Sequence, residues 1–135
     1  MKVIIADSNE LVRAGLRSTL LDHDRVKELV EVENSEALRN EALKSESALV
    51  MIDYTSPGFD INDIASTLRL NPALRFIGLT YLQSAQTLVD ALRGGIMSYI
   101  KKDCSLVEIS EAVMKRQQER SFSAVRFWKP LIRRT

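Results

Sequence analysis

Four apolar segments of this chain run into residues that could do chemistry. "VIIA" leads into Asp7, "ALVMI" into Asp53, "RFIGL" into Thr80, and "IMSYI" into Lys101, Lys102 and Asp103. Each segment is short, branched and apolar, the pattern of a strand buried on both faces. A strand that delivers a carboxylate to its end builds the rim of a site, where acids can hold a metal or act as nucleophiles and an ammonium can neutralise charge. Asp7 is followed by Ser8 and not by a second acid. Whether the chain holds a metal turns on that position.

The elements that must position these residues alternate regularly. "KVIIA" precedes an amphipathic stretch from Leu11 to Leu21, and "VKELVEVE" precedes a helical stretch from Ser35 to Lys44. "ALVMI" is followed by Ile61 to Leu70, "RFIGL" by Leu88 to Leu92, and "IMSYI" by Leu106 to Met114. Five strand-helix units predict an α/β fold, a doubly wound five-stranded parallel sheet with helices on both faces. Pro57-Gly58, Asn71-Pro72 and Gly94-Gly95 punctuate the units. Ser105 and Glu108 have the spacing of a capping box, which starts the fifth helix. In such sheets sites form at the carboxyl ends of strands, where the strand order reverses and helix N-termini point amides into the crevice. In the order 2-1-3-4-5, Asp53 on the central strand has Asp7 on one side and Thr80 on the other.

Composition narrows the alternatives. A chain of 135 residues, 45% hydrophobic and 27% charged, suits one globular domain with a full core. There is no membrane span and no signal-peptide pattern, so a cytoplasmic location is expected. With one cysteine, Cys104, and one histidine, His23, neither an internal disulfide nor an ordinary zinc site can be built. The net charge of +1 conceals a basic end: from Lys115 onward seven basic residues face one acid, leaving about −5 on the rest. That end also carries Phe122, Phe127 and Trp128. Such a mixture can bind nucleic acid, or it can continue the fifth helix and pack on the domain or a second chain. The expected division is a domain over residues 1–118 and a basic, aromatic extension over 119–135.

Taken together, "VIIADSNELVRAGLRSTL", "LVMIDYTSPGFD", "IGLT" and "GGIMSYIKKDCSLVEISEAV" resemble, in order and spacing, the receiver domain of bacterial two-component response regulators. The first segment is similar to the subfamily that carries a helix-turn-helix output domain, and the resemblance covers Lys2 to about Gln118. It implies a flavodoxin-like sheet of order 2-1-3-4-5 and an aspartyl phosphate at Asp53, with the phosphoryl group taken from a sensor histidine kinase or phosphotransfer protein. Thr80 would hydrogen-bond the phosphoryl group, Lys102 would pair with it, and Tyr99 would swing inward as the threonine moves. Lys102 fits better than Lys101 because it lies three residues after Tyr99. Asp7 matches the first of two adjacent acids, and Ser8 stands where the second should be.

These residue types suit the chemistry. A carboxylate attacking a phosphoryl group meets like charge, so cations must be present. Lys102 supplies one and Mg²⁺ would supply the other, with Asp7, Asp53 and the Thr55 carbonyl as its protein ligands. Mg²⁺ keeps several waters and takes one or two carboxylates, and Ser8 removes the acid that would bind most directly. Glu10, in the first turn of the first helix, could reach back as a substitute, although an acid at a helix start is favourable through the dipole alone. Ser8 also reads simply as a helix cap. Tyr81 departs from the small residue usual after the threonine, and its phenol either narrows the approach to Asp53 or lies on the surface. Ser56 replaces a residue that is often methionine.

The resemblance implies a signalling switch and not an enzyme beyond phosphotransfer and dephosphorylation at Asp53. The changed face would be the fourth helix, fifth strand and fifth helix, which is also where a homodimer is expected. DNA would be reached only through an output domain that this chain does not include. The alternative is a pseudo-receiver, an interaction module independent of phosphate, which Ser8 and Tyr81 favour. A phosphohydrolase would need an acid where Thr55 stands. A cofactor-binding flavodoxin would need a phosphate cradle where "DSNE" stands.

Overall fold

A computed structural model describes residues 1–81 and 83–119. Residues 120–135 of the basic, aromatic extension, with Phe122, Phe127 and Trp128, lie outside the described residues. Strand β1 (Lys2–Ala6), helix α1 (Glu10–Leu20), β2 (Glu28–Val32), α2 (Ser35–Lys44), β3 (Ala48–Ile52), α3 (Asn62–Leu70), β4 (Leu74–Thr80), α4 (Ala85–Gly94), β5 (Ile96–Lys101) and α5 (Leu106–Glu119) alternate along the chain. All strands pair in parallel, in the order β2-β1-β3-β4-β5. This is the doubly wound sheet that the alternation predicts.

Side-chain alternation along the strands divides the core in two. Val3, Ile5, Leu49, Met51, Ile77 and Leu79 pack with Leu16 and Leu20 of α1 and Ile109 and Val113 of α5. On the opposite face Ile4, Ala6, Val50, Ile52 and Phe76 pack with Leu38 of α2, Ile64 of α3 and Leu92 of α4. With every residue of β3 buried, the central strand is covered on both faces, which is why its sequence is a continuous apolar run.

Several boundaries have local causes. Asn9, and not Ser8, caps α1: its side chain accepts the Val12 amide at 3.1 Å. The reading of Ser8 as the cap is therefore corrected, and Asn9 serves because it directly precedes the first helical residue. Ser105 and Glu108 form the expected box, Glu108 N donating to Ser105 Oγ at 3.2 Å and Ser105 N to Glu108 Oε1 at 3.3 Å. Helix α4 starts three residues before the expected Leu88, capped by Ser84, and α5 continues past Met114 to Glu119. At Gly95 the backbone takes φ of 120° to end α4, a conformation that favours glycine.

The β4 and β5 register shifts between Phe76 and Ile77, pairing Phe76 with Ile96 but Ile77 with Ser98. This irregularity inverts the alternation along β5. Met97 and Ile100 consequently share the α1/α5 face, whereas Ile96 and Tyr99 share the other. The shift thereby places Tyr99 beside Gly78.

Thr67 of α3 is fully buried, and its hydroxyl has no hydrogen-bond partner among the described residues. An unmet buried hydroxyl is costly, whereas a methyl in its place is not. Thr67→Val is expected to stabilise the protein by about 1 kcal/mol, read as a higher urea midpoint with an unchanged slope; a lower midpoint would refute it.

Candidate functional site

The sheet backbone sets the site. Beyond the strand ends, Asp7 N donates to Val32 O at 3.2 Å, Asp53 N to Ala6 O at 3.0 Å and Lys102 N to Thr80 O at 2.8 Å. Each ladder thus extends one residue into a functional side chain. Asp7, Asp53 and Lys102 are 2%, 4% and 8% exposed, although all three stand at an edge where loops would otherwise admit water.

Lys102 joins the two acids. Its Nζ donates to Asp53 Oδ2 at 2.7 Å and lies 2.5 Å from Asp7 Oδ2. The second contact is an ion pair, and it holds the buried Asp7 Oδ2 by charge. Burial works against the Lys102 charge, but the hydrogen bond from Lys102 to Asp53 and its contact with Asp7 outweigh it, and its pKa is held above the ordinary value. Lys101, by contrast, is exposed and lies 3.9 Å from Asp103.

The other oxygens are also engaged. Asp7 Oδ1 accepts the Asn9 amide at 2.8 Å. Asp53 Oδ1 accepts both Thr55 N at 2.9 Å and Thr55 Oγ1 at 2.5 Å. Thr80, fully buried, donates its hydroxyl to Tyr99 Oη at 3.1 Å, while Tyr99 Oη donates to Thr80 O at 3.3 Å. The threonine hydroxyl is therefore turned toward the tyrosine, with none of its hydrogen bonds made to Asp53. Tyr81 remains 55% exposed, yet its ring centre is 5.2 Å from Lys102 Nζ. Tyr81 is thus a surface ring that lies beside the lysine.

Ser8 is half-buried and its amide donates to Ser56 Oγ at 3.4 Å, while Ser56 Oγ donates to Asp53 O at 2.8 Å. The two serines thus join the loop after β1 to the loop after β3. Glu10 is exposed at the start of α1, and no contact among the described residues brings it to the acids.

Two contributors escaped the sequence reading. Arg13 Nη1 donates to Asp7 O at 2.7 Å and its Nε to Glu31 Oε1 at 3.1 Å, tying the Asp7 turn to β2. Its place six residues after Asp7, in the second turn of an amphipathic helix, was the available signal. Tyr54 donates to Gln83 Oε1 at 2.5 Å, and burial pushes the phenol far above its ordinary pKa. Its ring lies so close to β4 that a Cβ at Gly78 would sit 3.0 Å from Tyr54 Cε2, so glycine alone fits there without displacement.

The sequence pattern described as "Response regulator receiver domain" matches residues 3–114. The chain belongs to this family. It is a receiver domain of the two-component response regulators. It is similar to "Response regulator GacA" of Pseudomonas syringae pv. syringae, 24% identical over 114 residues, covering 84% of this chain and 53% of that protein. It is also similar to "Uncharacterized transcriptional regulatory protein YhcZ" of Bacillus subtilis, 32% identical over 122 residues, covering 87% of this chain and 54% of that one. Among solved structures, the RcsB response regulator of Salmonella typhimurium superposes with a TM-score of 0.80 at 27% identity, covering 100% of this chain and 70% of that one. The receiver spans about half the length of the curated relatives it matches.

Receiver domains typically bind Mg²⁺, and the donors here suit one at the minimum count. Asp7 Oδ2 is a buried oxygen paired with the Lys102 ammonium, Asp53 stands on the same ammonium, and Mg²⁺ is commonly held by one or two carboxylates with water completing its shell. Among the described residues there is no cluster of three or more acids, histidines or cysteines. Asp7, Asp53 and the Thr55 carbonyl would hold the ion, which when bound supplies positive charge that one lysine cannot supply alone. No helix among the described residues is long and apolar enough to cross a membrane.

Proposed function

We propose that this receiver is a phosphorylation-dependent switch whose acceptor is Asp53. The observation that carries this reading is the buried Lys102 ammonium, 2.7 Å from Asp53 Oδ2. An Asp53 oxygen attacks phosphorus of a phosphohistidine on a sensor kinase or phosphotransfer protein. The new phosphorus–oxygen bond replaces the phosphorus–nitrogen bond, and the imidazole leaves. Lys102 compensates the charge of the transferred group, the kind of preorganised electrostatics on which phosphoryl transfer depends. The Thr80 hydroxyl exchanges its bond to Tyr99 for one to the phosphoryl oxygen, and the change passes to α4, β5 and α5. The modification acts by stabilising one of two states more than the other.

In this reading the chain turns over no external substrate; its chemistry is its own phosphorylation and dephosphorylation. The RcsB structure is described in terms of DNA interaction. By analogy, DNA binding and pairing through α4, β5 and α5 would belong to a longer regulator containing this receiver, and the receiver would act from the cytoplasm.

A second reading, a pseudo-receiver that signals by protein contacts alone, is favoured by one observation. Ser8 leaves two carboxylates for the metal, and both already engage Lys102. Intact-mass spectrometry after treatment with a small phosphodonor, with and without Mg²⁺, separates the two. The switch predicts one added phosphoryl group in the wild type with Mg²⁺ and none in Asp53→Asn. No incorporation at tens of millimolar Mg²⁺ supports the pseudo-receiver, and incorporation that survives Asp53→Asn overturns the acceptor.

A further inference from the structure

We propose that Arg13 is a positioning residue for the metal site: its guanidinium, braced by Glu31, fixes the turn that aims Asp7 at the ion. This rests on Asp7 serving as a metal ligand, and deepens that reading by naming what holds the ligand in place. With Ser8 in the next position, Asp7 is the acid that the loop after β1 brings to the site, and Glu10 is exposed. Metal affinity therefore depends on how firmly one carboxylate is oriented.

Three bonds orient Asp7. Its amide donates to Val32 O at 3.2 Å, its carbonyl accepts Arg13 Nη1 at 2.7 Å, and its Oδ1 accepts the Asn9 amide at 2.8 Å. With backbone and one carboxylate oxygen held, Oδ2 is left against the Lys102 ammonium. Of the three, the bond from Arg13 is the one that a side-chain replacement removes without touching the turn itself. Once the Asp7 carbonyl is released, the peptide between Asp7 and Ser8 is free to rotate. The Asn9 amide then leaves Oδ1, and the carboxylate loses its aim.

Glu31 supplies the brace. It stands on β2 opposite Ile5 of β1, and its Oε1 accepts Arg13 Nε at 3.1 Å. Arg13 thus reaches two partners through two nitrogens of one planar fork, which a lysine ammonium cannot copy. The Arg13 and Glu31 side chains are 11% and 28% exposed, so water competes little for the guanidinium. Arg17 meets the other Glu31 oxygen at 3.5 Å, from a more exposed flank. Glu31 also offsets the charge of Arg13, which lets one cation hold the Asp7 carbonyl beside a site for another. Charge and position predict opposite outcomes here: removing a nearby positive charge alone strengthens cation binding, whereas loss of aim weakens it.

The test reads hydrogen exchange at the Asn9 amide by NMR, without metal, in wild type, Arg13→Met, Glu31→Ala and Glu31→Gln, and then titrates the same proteins with Mg²⁺. In Arg13→Met and Glu31→Ala the Asn9 amide is expected to exchange about tenfold faster, with a smaller change at Leu16 and Leu20 farther along α1. Glu31→Gln keeps an acceptor for Arg13 Nε and should stay near wild type. A rise at Asn9 no larger than that at Leu16 and Leu20 marks general loosening and overturns the proposal. Mg²⁺ affinity is expected to fall about tenfold in Arg13→Met, the lower end of what groups that orient a metal ligand commonly contribute. Unchanged or higher affinity overturns the proposal, because position would then count for less than charge. A wild type that binds no Mg²⁺ at tens of millimolar overturns Asp7 as a ligand, and Asn9 exchange separately decides whether Arg13 and Glu31 hold it.

Discussion

Lys102→Met is expected to lower the stability of the protein by about 3–5 kcal/mol at neutral pH, the usual cost of removing one partner from a buried ion pair. The side chains of Lys102, Asp7 and Asp53 are 5%, 3% and 5% exposed, so water cannot take the place of the ammonium. Methionine keeps the length and fills the space, which leaves two carboxylates facing each other with nothing between them. The measurement is urea unfolding at pH 7, with the midpoint converted through a slope shared by both proteins. Adding Asp7→Asn to Lys102→Met removes one of the opposed charges and should recover much of the loss. A double variant no more stable than the single one would show that the cost lies in packing and not in charge.

The alkaline side offers an independent check on the same pairing. Because the folded protein holds the Lys102 pKa above its ordinary value of 10.5, native protein binds this proton more tightly than unfolded chain does. The contribution is therefore complete below the ordinary value and disappears as pH rises through the folded value. Wild type should lose stability in that alkaline window relative to Lys102→Met, and the two curves should converge there.

Ser8→Asp is expected to raise Mg²⁺ affinity by roughly 10–100-fold, since even partners outside the first coordination shell commonly matter by that factor. The same change should destabilise the metal-free protein. Asp7, Asp53 and Lys102 sum to −1, and a further acid at a half-buried position makes the site −2. Affinity and apo-stability should thus move in opposite directions, a signature that general loosening of the loop does not produce. Titration calorimetry reads the first quantity and thermal unfolding with a chelator reads the second. The Ser8 amide bond to Ser56 Oγ involves backbone, so the replacement need not break the link between the two loops. Unchanged affinity in a folded Ser8→Asp protein would show that Asp7, Asp53 and Thr55 already make the better site.

Where the sequence was readable, one interaction dominated. The apolar run of β3 leaves no face for solvent, and α2 was bounded correctly at Ser35 and Lys44 by its polar flanks. The start of α4 was missed because Ala85, Gln86 and Thr87 carry no apolar periodicity; the signal lay in the Ser84 cap. The register shift at Phe76 was invisible since both versions of β5 have similar composition. In the site, Asp7, Asp53 and Thr80 could be read because strand ends announce themselves, whereas Lys102 was separated from Lys101 only by its spacing from Tyr99 in the family resemblance. Arg13 and Tyr54 could not, because their roles consist of hydrogen bonds to backbone or side chains placed by the fold. Asn9 displaced Ser8 as the cap for a similar reason: two good capping residues stand side by side, and the helix phase chooses between them.

The contact between Lys102 and Asp53 joins residues 49 apart in sequence, and the lysine enters from the last strand while both acids come from the first three. A chain emerging from synthesis therefore presents its acids well before its ammonium exists. Partly folded forms carry a repelling acid pair, and neither a phosphodonor nor a metal ion meets the assembled charge pattern until β5 has docked. In the proposed switch, competence would therefore wait for β5, the strand that leaves synthesis last: its docking completes the sheet and brings the ammonium to the proposed acceptor in the same step.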